Sequence, residues 1–162
     1  MKKLFALLFC IVMIVSMVAC AADEPQTEAP LAAGDQMSLT EIVEGLYEGY
    51  NEEMPMLMTT EITDAETFEG RTFAKYAEGY EAVASEPGIS AIAHSVVLVR
   101  VPEGTDVEAV RAEIEQNHDP RKWVCVEAEK TAVIAHNNTI LLVMSTEALA
   151  DVVIANFDAL WA

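Results

Sequence analysis

Apolar residues recur at helical spacing in three segments of the chain. The first opens with Ser38–Glu41, which has the sequence of a capping box. Apolar residues at positions 39, 42, 43, 46 and 50 then predict a helix that ends near Asn51. A second capping box, Thr105–Glu108, precedes a helix predicted to reach about Gln116. The third helix follows Ser145, which we expect to be its N-cap.

Four other segments are predicted to be strands. The first, Tyr80–Ser85, is followed by a Glu-Pro-Gly sequence that ends it. The second, Ile92–Val101, has apolar residues on both faces, so we expect a central strand that is covered on both sides. The last two, in Trp123–His136 and Thr139–Met144, are joined by an Asn-Asn turn, because Asn tolerates positive φ.

The order of these elements, α-β-β-α-β-β-α, predicts the fold class. It indicates an α+β fold in which a mainly antiparallel sheet of about four strands carries three helices on one face. Residues 52–71 fit neither spacing and are left unassigned. Residues 37–162 have the length of a single domain.

The beginning of the chain has the features of an export signal. Lys2 and Lys3 precede an uncharged apolar segment, Leu4–Ala19, which is shorter than the roughly 20 residues that span a bilayer. This segment leads into the sequence Met-Val-Ala-Cys. That ending resembles the bacterial lipobox, whose cysteine, here Cys20, is linked to diacylglycerol before cleavage; Met17 stands where leucine is usual. The alternative is an ordinary signal peptide that ends in cysteine. We expect residues 1–19 to be a lipoprotein signal peptide.

Lipidation of Cys20 predicts where the protein is located. Two acyl chains anchor a protein stably, since each buried CH₂ contributes about 0.8 kcal/mol. The protein is then attached to the cell membrane through Cys20 and faces away from the cytoplasm. Residues 20–36, which are rich in Ala, Pro and acids, are predicted to be a disordered tether between the anchor and the domain.

The charge of the chain excludes some partners. It has 9 Lys and Arg against 27 Asp and Glu, a net charge of −18 that becomes −20 when Lys2 and Lys3 leave with the signal peptide. Such a surface repels nucleic acid, which binds through Lys and Arg, and also anionic lipid head groups. We therefore expect no nucleic-acid partner, and we expect the anchor alone to hold the protein at the membrane.

Three segments carry a family resemblance: Ser90–Val99, Asp119–Trp123 and Thr139–Ser145. In their order they resemble segments of small surface lipoproteins from Gram-positive gut anaerobes, which are known only as a domain of unknown function. The resemblance covers Met37–Leu160. It implies the same α+β fold and surface location, and it implies no activity, cofactor or functional residue.

Methionine and cysteine suggest two kinds of chemistry. Met54, Met56 and Met58 alternate and could present soft thioethers to Cu(I), but methionine also fills irregular gaps in a core, and no His or Cys is near them in sequence. Cys125 could pair with His118 as nucleophile and base, but it lies in an apolar run, where we expect a buried, inert thiol. We therefore predict no metal ligand, no catalytic residue and no cofactor.

Two other histidines have structural interpretations. His94 lies in an apolar strand and is expected to be a hydrogen-bonded core or edge residue, and His136 is expected to belong to the hairpin turn. The chain also contains no phosphate-binding glycine loop, nucleophile elbow or zinc-protease motif.

A basic loop is the main candidate for binding. It holds two cations and a tryptophan in an otherwise acidic protein, and Arg and Trp are enriched at binding hot spots. Its candidate binding residues are His118, Asp119, Arg121, Lys122 and Trp123. The alternative is structural: Trp123 anchors the loop in the core, while Arg121 and Lys122 pair with nearby acids.

These observations favour a non-enzymatic binding or accessory module. It would act outside the cytoplasm on a cell-envelope protein or polymer. The alternatives are a small extracytoplasmic enzyme whose site is assembled by the fold, and a metal-handling lipoprotein that uses the Met residues.

Overall fold

The computed structural model describes residues 31–162. The predicted signal peptide, Cys20 and residues 21–30 of the predicted tether lie outside the described residues. The described chain forms five helices and five strands: α1 Ala33–Gln36, α2 Leu39–Gly45, β1 Leu57–Ile62, α3 Ala65–Thr72, β2 Glu81–Pro87, β3 Ser95–Arg100, α4 Val107–Asn117, β4 Lys130–His136, β5 Thr139–Ser145 and α5 Glu147–Ala159.

The strands form one antiparallel sheet in the order β1-β2-β3-β5-β4. Strand β3 lies at the centre, and its residues Ser95–Val99 are buried. The prediction of a central strand covered on both sides is therefore confirmed. The α+β class and the antiparallel sheet are confirmed as well.

Helices cover both faces of the sheet. Val96 and Leu98 of β3 pack on one side with residues of α2 and α5, and we call this side the α2/α5 face. Val97 and Val99 pack on the other side with residues of α3 and α4, which we call the α3/α4 face. The prediction that helices pack on one face is wrong, because alternate residues of the central strands are apolar on both sides and both sides need cover.

The structure has more elements than the predicted four strands and three helices. Strand β1 and helix α3 occupy the segment left unassigned, residues 52–71. Strand β1 is an edge strand whose middle residues are exposed, and the fully buried side chains of α3 are only Phe68 and Thr72. Neither element therefore needs the apolar periodicity by which the others were predicted.

Two of the predicted helix caps are corrected. The N-cap of α4 is Asp106, one residue after the predicted Thr105. The N-cap of α5 is Thr146, because the hydroxyl of Ser145 is hydrogen-bonded to His94 and faces the interior. The capping box at the start of α2 is present as predicted.

Helix α2 is shorter than predicted, ending at Gly45 and not near Asn51. Its end is held by Asn156 of α5, whose side-chain amide donates to the carbonyl oxygens of Leu46 and Glu48, both at 2.9 Å. A polar residue within the apolar stripe of α5 therefore joins two helices.

Part of the predicted tether belongs to the domain. Residues 33–36 form α1, and Arg100 of β3 donates to the carbonyl oxygens of Gly34 and Met37, both at 2.9 Å. Gly34 lies so close to the ring of Trp161 that a Cβ there would overlap it. The predicted disorder is thus wrong for these four residues, because long-range contacts that composition does not reveal hold them.

Candidate functional site

The basic loop, residues 118–123, is the first part of the connection between α4 and β4, residues 118–129. His118 is the C-cap of α4, and its backbone N–H donates to the carbonyl oxygen of Ile114 at 2.9 Å. The carboxylate of Asp119 accepts a hydrogen bond from the backbone N–H of Arg121 at 2.9 Å. Two of the five predicted binding residues, His118 and Asp119, therefore contribute to the turn that leaves the helix.

Lys122 holds this loop against the sheet. Its Nζ lies 2.6 Å from Oε1 of Glu86 and donates to Oγ of Ser95 at 3.0 Å. The Ser95 hydroxyl donates to the same carboxylate oxygen at 2.7 Å, and Arg71 of α3 pairs with the other oxygen. We call Arg71, Glu86, Ser95 and Lys122 the charged cluster. The side chains of Lys122 and Glu86 are each only 19% exposed, so this ion pair is largely shielded from water.

The charged cluster keeps Glu86 ionised. Burial raises the pKa of this carboxyl, but Lys122, Ser95 and Arg71 together outweigh burial and lower it below its usual value. Because the carboxylate accepts bonds from all three, the charge of Lys122 is satisfied within the protein. Lys122 therefore fixes the loop and is not free for a ligand.

Trp123 lies at the boundary between core and surface. It is half-buried and packs against the core of the α3/α4 face. The Nζ of Lys122 lies 5.4 Å from the centre of the Trp123 ring and 5.8 Å from that of Phe73. Trp123 thus anchors the loop as the structural interpretation predicted, but it is not fully buried.

Apart from Lys122, the connection between α4 and β4 has exposed side chains that a ligand could reach. Arg121 is exposed and forms no ion pair within residues 31–162. An open cavity of about 380 Å³ lies beside it, lined by Arg121, Trp123, Cys125, Val126 and Glu127. The cavity combines one cation, one carboxylate and apolar surface. The backbone beside it is held by hydrogen bonds from the N–H of Val124 to the carbonyl oxygen of Ser90 at 3.2 Å and from the N–H of Ala128 to that of Pro120 at 2.8 Å.

The prediction that Cys125 is buried is wrong. Its side chain is exposed and its φ is 64°, in the left-handed region that non-glycine residues seldom adopt. The apolar run around Cys125 is not a strand, and β4 begins only at Lys130. The run contributes its half-buried Trp123 to the core, while Val124 and Cys125 point to solvent.

A second polar cluster lies on the α2/α5 face, at the other side of the same sheet end. His94 is 2% exposed, and its ring nitrogens lie 3.2 Å from the hydroxyl of Tyr47 and 2.9 Å from that of Ser145. We call these three residues the neutral cluster. Burial lowers the pKa of His94 to about 4 and raises that of Tyr47 to about 12, so both are uncharged at neutral pH.

Both clusters contain the residue types of nucleophile–base pairs, Ser95 with Lys122 and Ser145 with His94. In each pair, however, the serine hydroxyl is buried and already hydrogen-bonded inside the protein. A substrate cannot reach either oxygen without displacing the surrounding core. The arrangement supports a structural role for both clusters, including the hydrogen-bonded role predicted for His94.

The three methionines considered for copper are placed differently. Met54 packs against the core of the α2/α5 face. Met56 and Met58 are 88% and 57% exposed and line an apolar cleft of about 270 Å³ with Ile89 and Ile92. The first thioether thus takes part in core packing, and the other two lie at the surface.

The remaining histidine, His136, is the last residue of β4. It lies 2.8 Å from the carboxylate of Asp158 and stacks on Trp161.

Within residues 31–162, no three His, Cys, Asp or Glu residues come together in a way that could hold a metal ion. In the same part of the chain, no helix has both the length and the apolar character needed to cross a membrane.

The polar clusters could not be identified by motif. A weaker signal was present, because Glu86, Ser95 and Ser145 each lie at one end of a strongly apolar strand. Polar side chains at strand ends meet at a common edge of a sheet, but the sequence does not reveal which strands are neighbours.

Comparison with models of known families, with curated proteins and with solved structures finds no match to the chain.

Proposed function

We propose that the protein is a non-enzymatic binding or accessory module, anchored to the membrane through Cys20 outside the cytoplasm. Its recognition surface is the exposed part of the basic loop, centred on Arg121. The observation that supports this proposal is that two adjacent cations have different surroundings. Lys122 is paired with Glu86, whereas Arg121 is exposed beside an open cavity.

A loop fixed at its base is suited to binding. Ordering a flexible loop on binding costs affinity, and a loop that is already held avoids most of this cost. The ion pair of Lys122 and the packing of Trp123 supply the hold, while the Arg121 guanidinium keeps its five N–H donors available. Arginine binds carboxylates and phosphates through two parallel hydrogen bonds, so we expect an anionic group on the partner.

The two alternatives have less support from the geometry. An enzyme of the nucleophile–base type needs both groups where a substrate can reach them. The serine hydroxyls that have a nearby base are buried, and within residues 31–162 the exposed thiol of Cys125 forms no hydrogen bond with His118, whose ring lies against the carbonyl oxygen of Ile114. A metal handler needs several soft ligands together, and the three methionines are divided between core and surface. The resemblance to small surface lipoproteins stays a prediction, and it agrees with the anchored location.

The proposal is tested in two steps on the full-length chain. Expression in a Gram-positive host should place the wild type in the membrane fraction, and Cys20→Ala should release it. The released protein is then mixed with isolated cell-envelope fragments, and bound protein is measured after sedimentation. Arg121→Ala should reduce the affinity about tenfold, as loss of a hot-spot arginine does, and added salt should weaken binding.

Arg111→Ala is the matched control for this experiment. Arg111 is also on the surface, but Glu108 and Glu115 of α4 already pair with it. Its loss changes the net charge by the same amount and should leave envelope binding unchanged. Equal affinity of the Arg121→Ala variant and the wild type would remove the loop from the proposal. Retention of Cys20→Ala in the membrane, together with no lipid label on the wild type, would remove the anchor.

A further inference from the structure

Exposed apolar side chains come together at one end of the sheet, near the basic loop. Met56 and Met58 lie at the start of β1, and Ile89 lies in the connection between β2 and β3. All three are exposed, and all three line the apolar cleft of about 270 Å³. Single apolar residues are common on protein surfaces, but a contiguous exposed apolar patch marks a site of interaction.

The apolar cleft and the basic loop lie on the same face of the sheet. Met58 of the cleft is the cross-strand neighbour of Glu86, so these two side chains project from one face. Lys122 of the basic loop pairs with the same Glu86 carboxylate. The charged cluster therefore lies between the two surfaces and holds both in a fixed relation to each other.

A backbone hydrogen bond joins the cleft to the cavity beside Arg121. The N–H of Val124 donates to the carbonyl oxygen of Ser90, which follows Ile89 of the cleft. Val124 is exposed, and its two neighbours in the chain both line the cavity. An exposed apolar cleft thus lies on one side of this contact. On the other side lies a cation that forms no ion pair within residues 31–162.

This surface lies at the end of the sheet opposite to the predicted tether. Strand β3 begins at Ser95, in the charged cluster beside the cleft. It ends at Arg100, which donates to the carbonyl oxygen of Gly34 near the start of the described chain. With an anchor on Cys20, we therefore expect the surface to face away from the membrane, towards partners in the cell envelope.

Other occupants of this surface fit it less well. Residues 21–30 have the sequence AADEPQTEAP, which contains no large apolar side chain for the cleft. A second copy of the chain carries the same strongly negative net charge, and this charge opposes self-association. An anionic wall polymer supplies phosphate for Arg121, but it leaves the apolar cleft unfilled. A partner that satisfies both features carries an apolar side chain and an anionic group.

We infer that the partner of this surface is a protein, which inserts apolar side chains into the cleft at Met56 and Ile89 and places a carboxylate on Arg121. The inference rests on the proposed function, because it names the class of partner for the same loop. Burial of the apolar side chains supplies affinity. Charge complementarity at Arg121 fixes the orientation of the partner and adds a part of the binding that salt weakens.

Variants of the cleft test the inference in the sedimentation assay with cell-envelope fragments, on the full-length chain with Cys20→Ala. Met56→Gln with Ile89→Gln should weaken binding about tenfold, as loss of central interface contacts does, at both low and high salt. Leu31→Gln is the matched control, since Leu31 is 67% exposed and Ile89 is 62% exposed, and it should leave binding unchanged. Thermal melts followed by circular dichroism check that each variant is folded.

The class of the partner is tested on the fragments themselves. Digestion with proteinase K, which is inhibited before the protein is added, should abolish binding. Removal of the wall polymers with hydrofluoric acid should leave binding in place. Binding that survives the protease and disappears with the polymers would overturn the inference in favour of an anionic polymer.

Arg121→Ala separates a failure of this inference from a failure of the proposed function. If Arg121→Ala weakens binding and a folded Met56→Gln/Ile89→Gln protein binds as its parent does, the inference is wrong and the proposed function stands. If none of these changes weakens binding, both are wrong. If both variants weaken it, and only the loss caused by Arg121→Ala shrinks with added salt, the inference is supported.

Discussion

The charged cluster and the neutral cluster lie one residue apart along the same strand and have opposite electrostatics. His94 immediately precedes Ser95, and successive residues of an extended chain point to opposite faces of the sheet. His94 therefore joins Tyr47 on the α2/α5 face, while Ser95 joins Glu86 on the α3/α4 face.

The difference in charge between the two clusters follows from the residues that cover each face of the sheet at this end. The ring of His94 in the neutral cluster is buried, where an ion would be costly, and burial keeps this histidine uncharged. The charged cluster is closed by a helix side chain and a loop side chain, Arg71 and Lys122, which bring two cations to one carboxylate. Partial exposure at this rim lowers the desolvation cost, so an ion network is tolerated there. One sheet end can thus support two clusters that respond differently to mutation and to pH.

The largest expected effect comes from removing the shared carboxylate. Glu86→Leu leaves Lys122 and Arg71 without their partner in a mostly buried position, and we expect a loss of about 3–5 kcal/mol in the free energy of unfolding. Urea denaturation followed by circular dichroism measures it. Glu44→Leu, at an exposed position of α2, should change stability by no more than about 0.5 kcal/mol.

A double-mutant cycle separates this network from packing effects. Lys122→Met should cost much less in the Glu86→Leu background than in the wild type, because its partner is already gone. Equal costs in the two backgrounds would show that Lys122 and Glu86 are not coupled.

Acid should affect the neutral cluster first. Burial lowers the pKa of His94 from 6.5 to about 4, so the unfolded chain takes up this proton at a higher pH than the folded one. The contribution of neutral His94 is complete above pH 6.5 and is lost as the pH falls toward 4. The pKa difference corresponds to about 3 kcal/mol in the free energy of unfolding. Glu86, whose folded pKa lies below its usual 4.5, loses its contribution only at lower pH.

The free energy of unfolding, measured by urea denaturation between pH 7 and pH 4, checks this order. His94→Gln should flatten the pH dependence in that window. His136→Gln, which removes the histidine paired with Asp158 on the surface, should leave most of it. If the free energy of unfolding depends on pH as steeply in His94→Gln as in His136→Gln, His94 is not the source of this dependence.

The smallest effect is expected just outside the charged cluster. Arg121→Ala should change stability by no more than about 0.5 kcal/mol, because its side chain is exposed and forms no ion pair within the described residues. Lys122→Ala should cost about 2 kcal/mol, since it removes the ammonium group that bonds to Glu86 and Ser95. Thermal melts of the two variants measure the difference. Equal stability losses would mean that the cluster extends to Arg121 or does not include Lys122.

The periodic parts of the fold were predictable and the less regular parts were not. The central strand at Ile92–Val101 and the helix reaching about Gln116 were placed to within a few residues, because burial imposes a clear spacing on their side chains. Strand β1 and helix α3 were missed, since an exposed edge strand and a helix with few buried residues leave little such pattern. Cys125 was misplaced for the related reason that an apolar run in a loop need not be buried.

Local sequence by itself determined the α+β class, the capping box of α2, the central strand and the acidic character of the surface, because these depend on residue type and spacing. Only the tertiary structure decided that Lys122 forms an ion pair with Glu86, that His94 lies between Tyr47 and Ser145, and that α1 packs on the domain. Each of these contacts joins residues far apart in the chain through the order of the strands. A side chain's partner is set by which strands and loops become neighbours, and spacing along one segment carries no information about that.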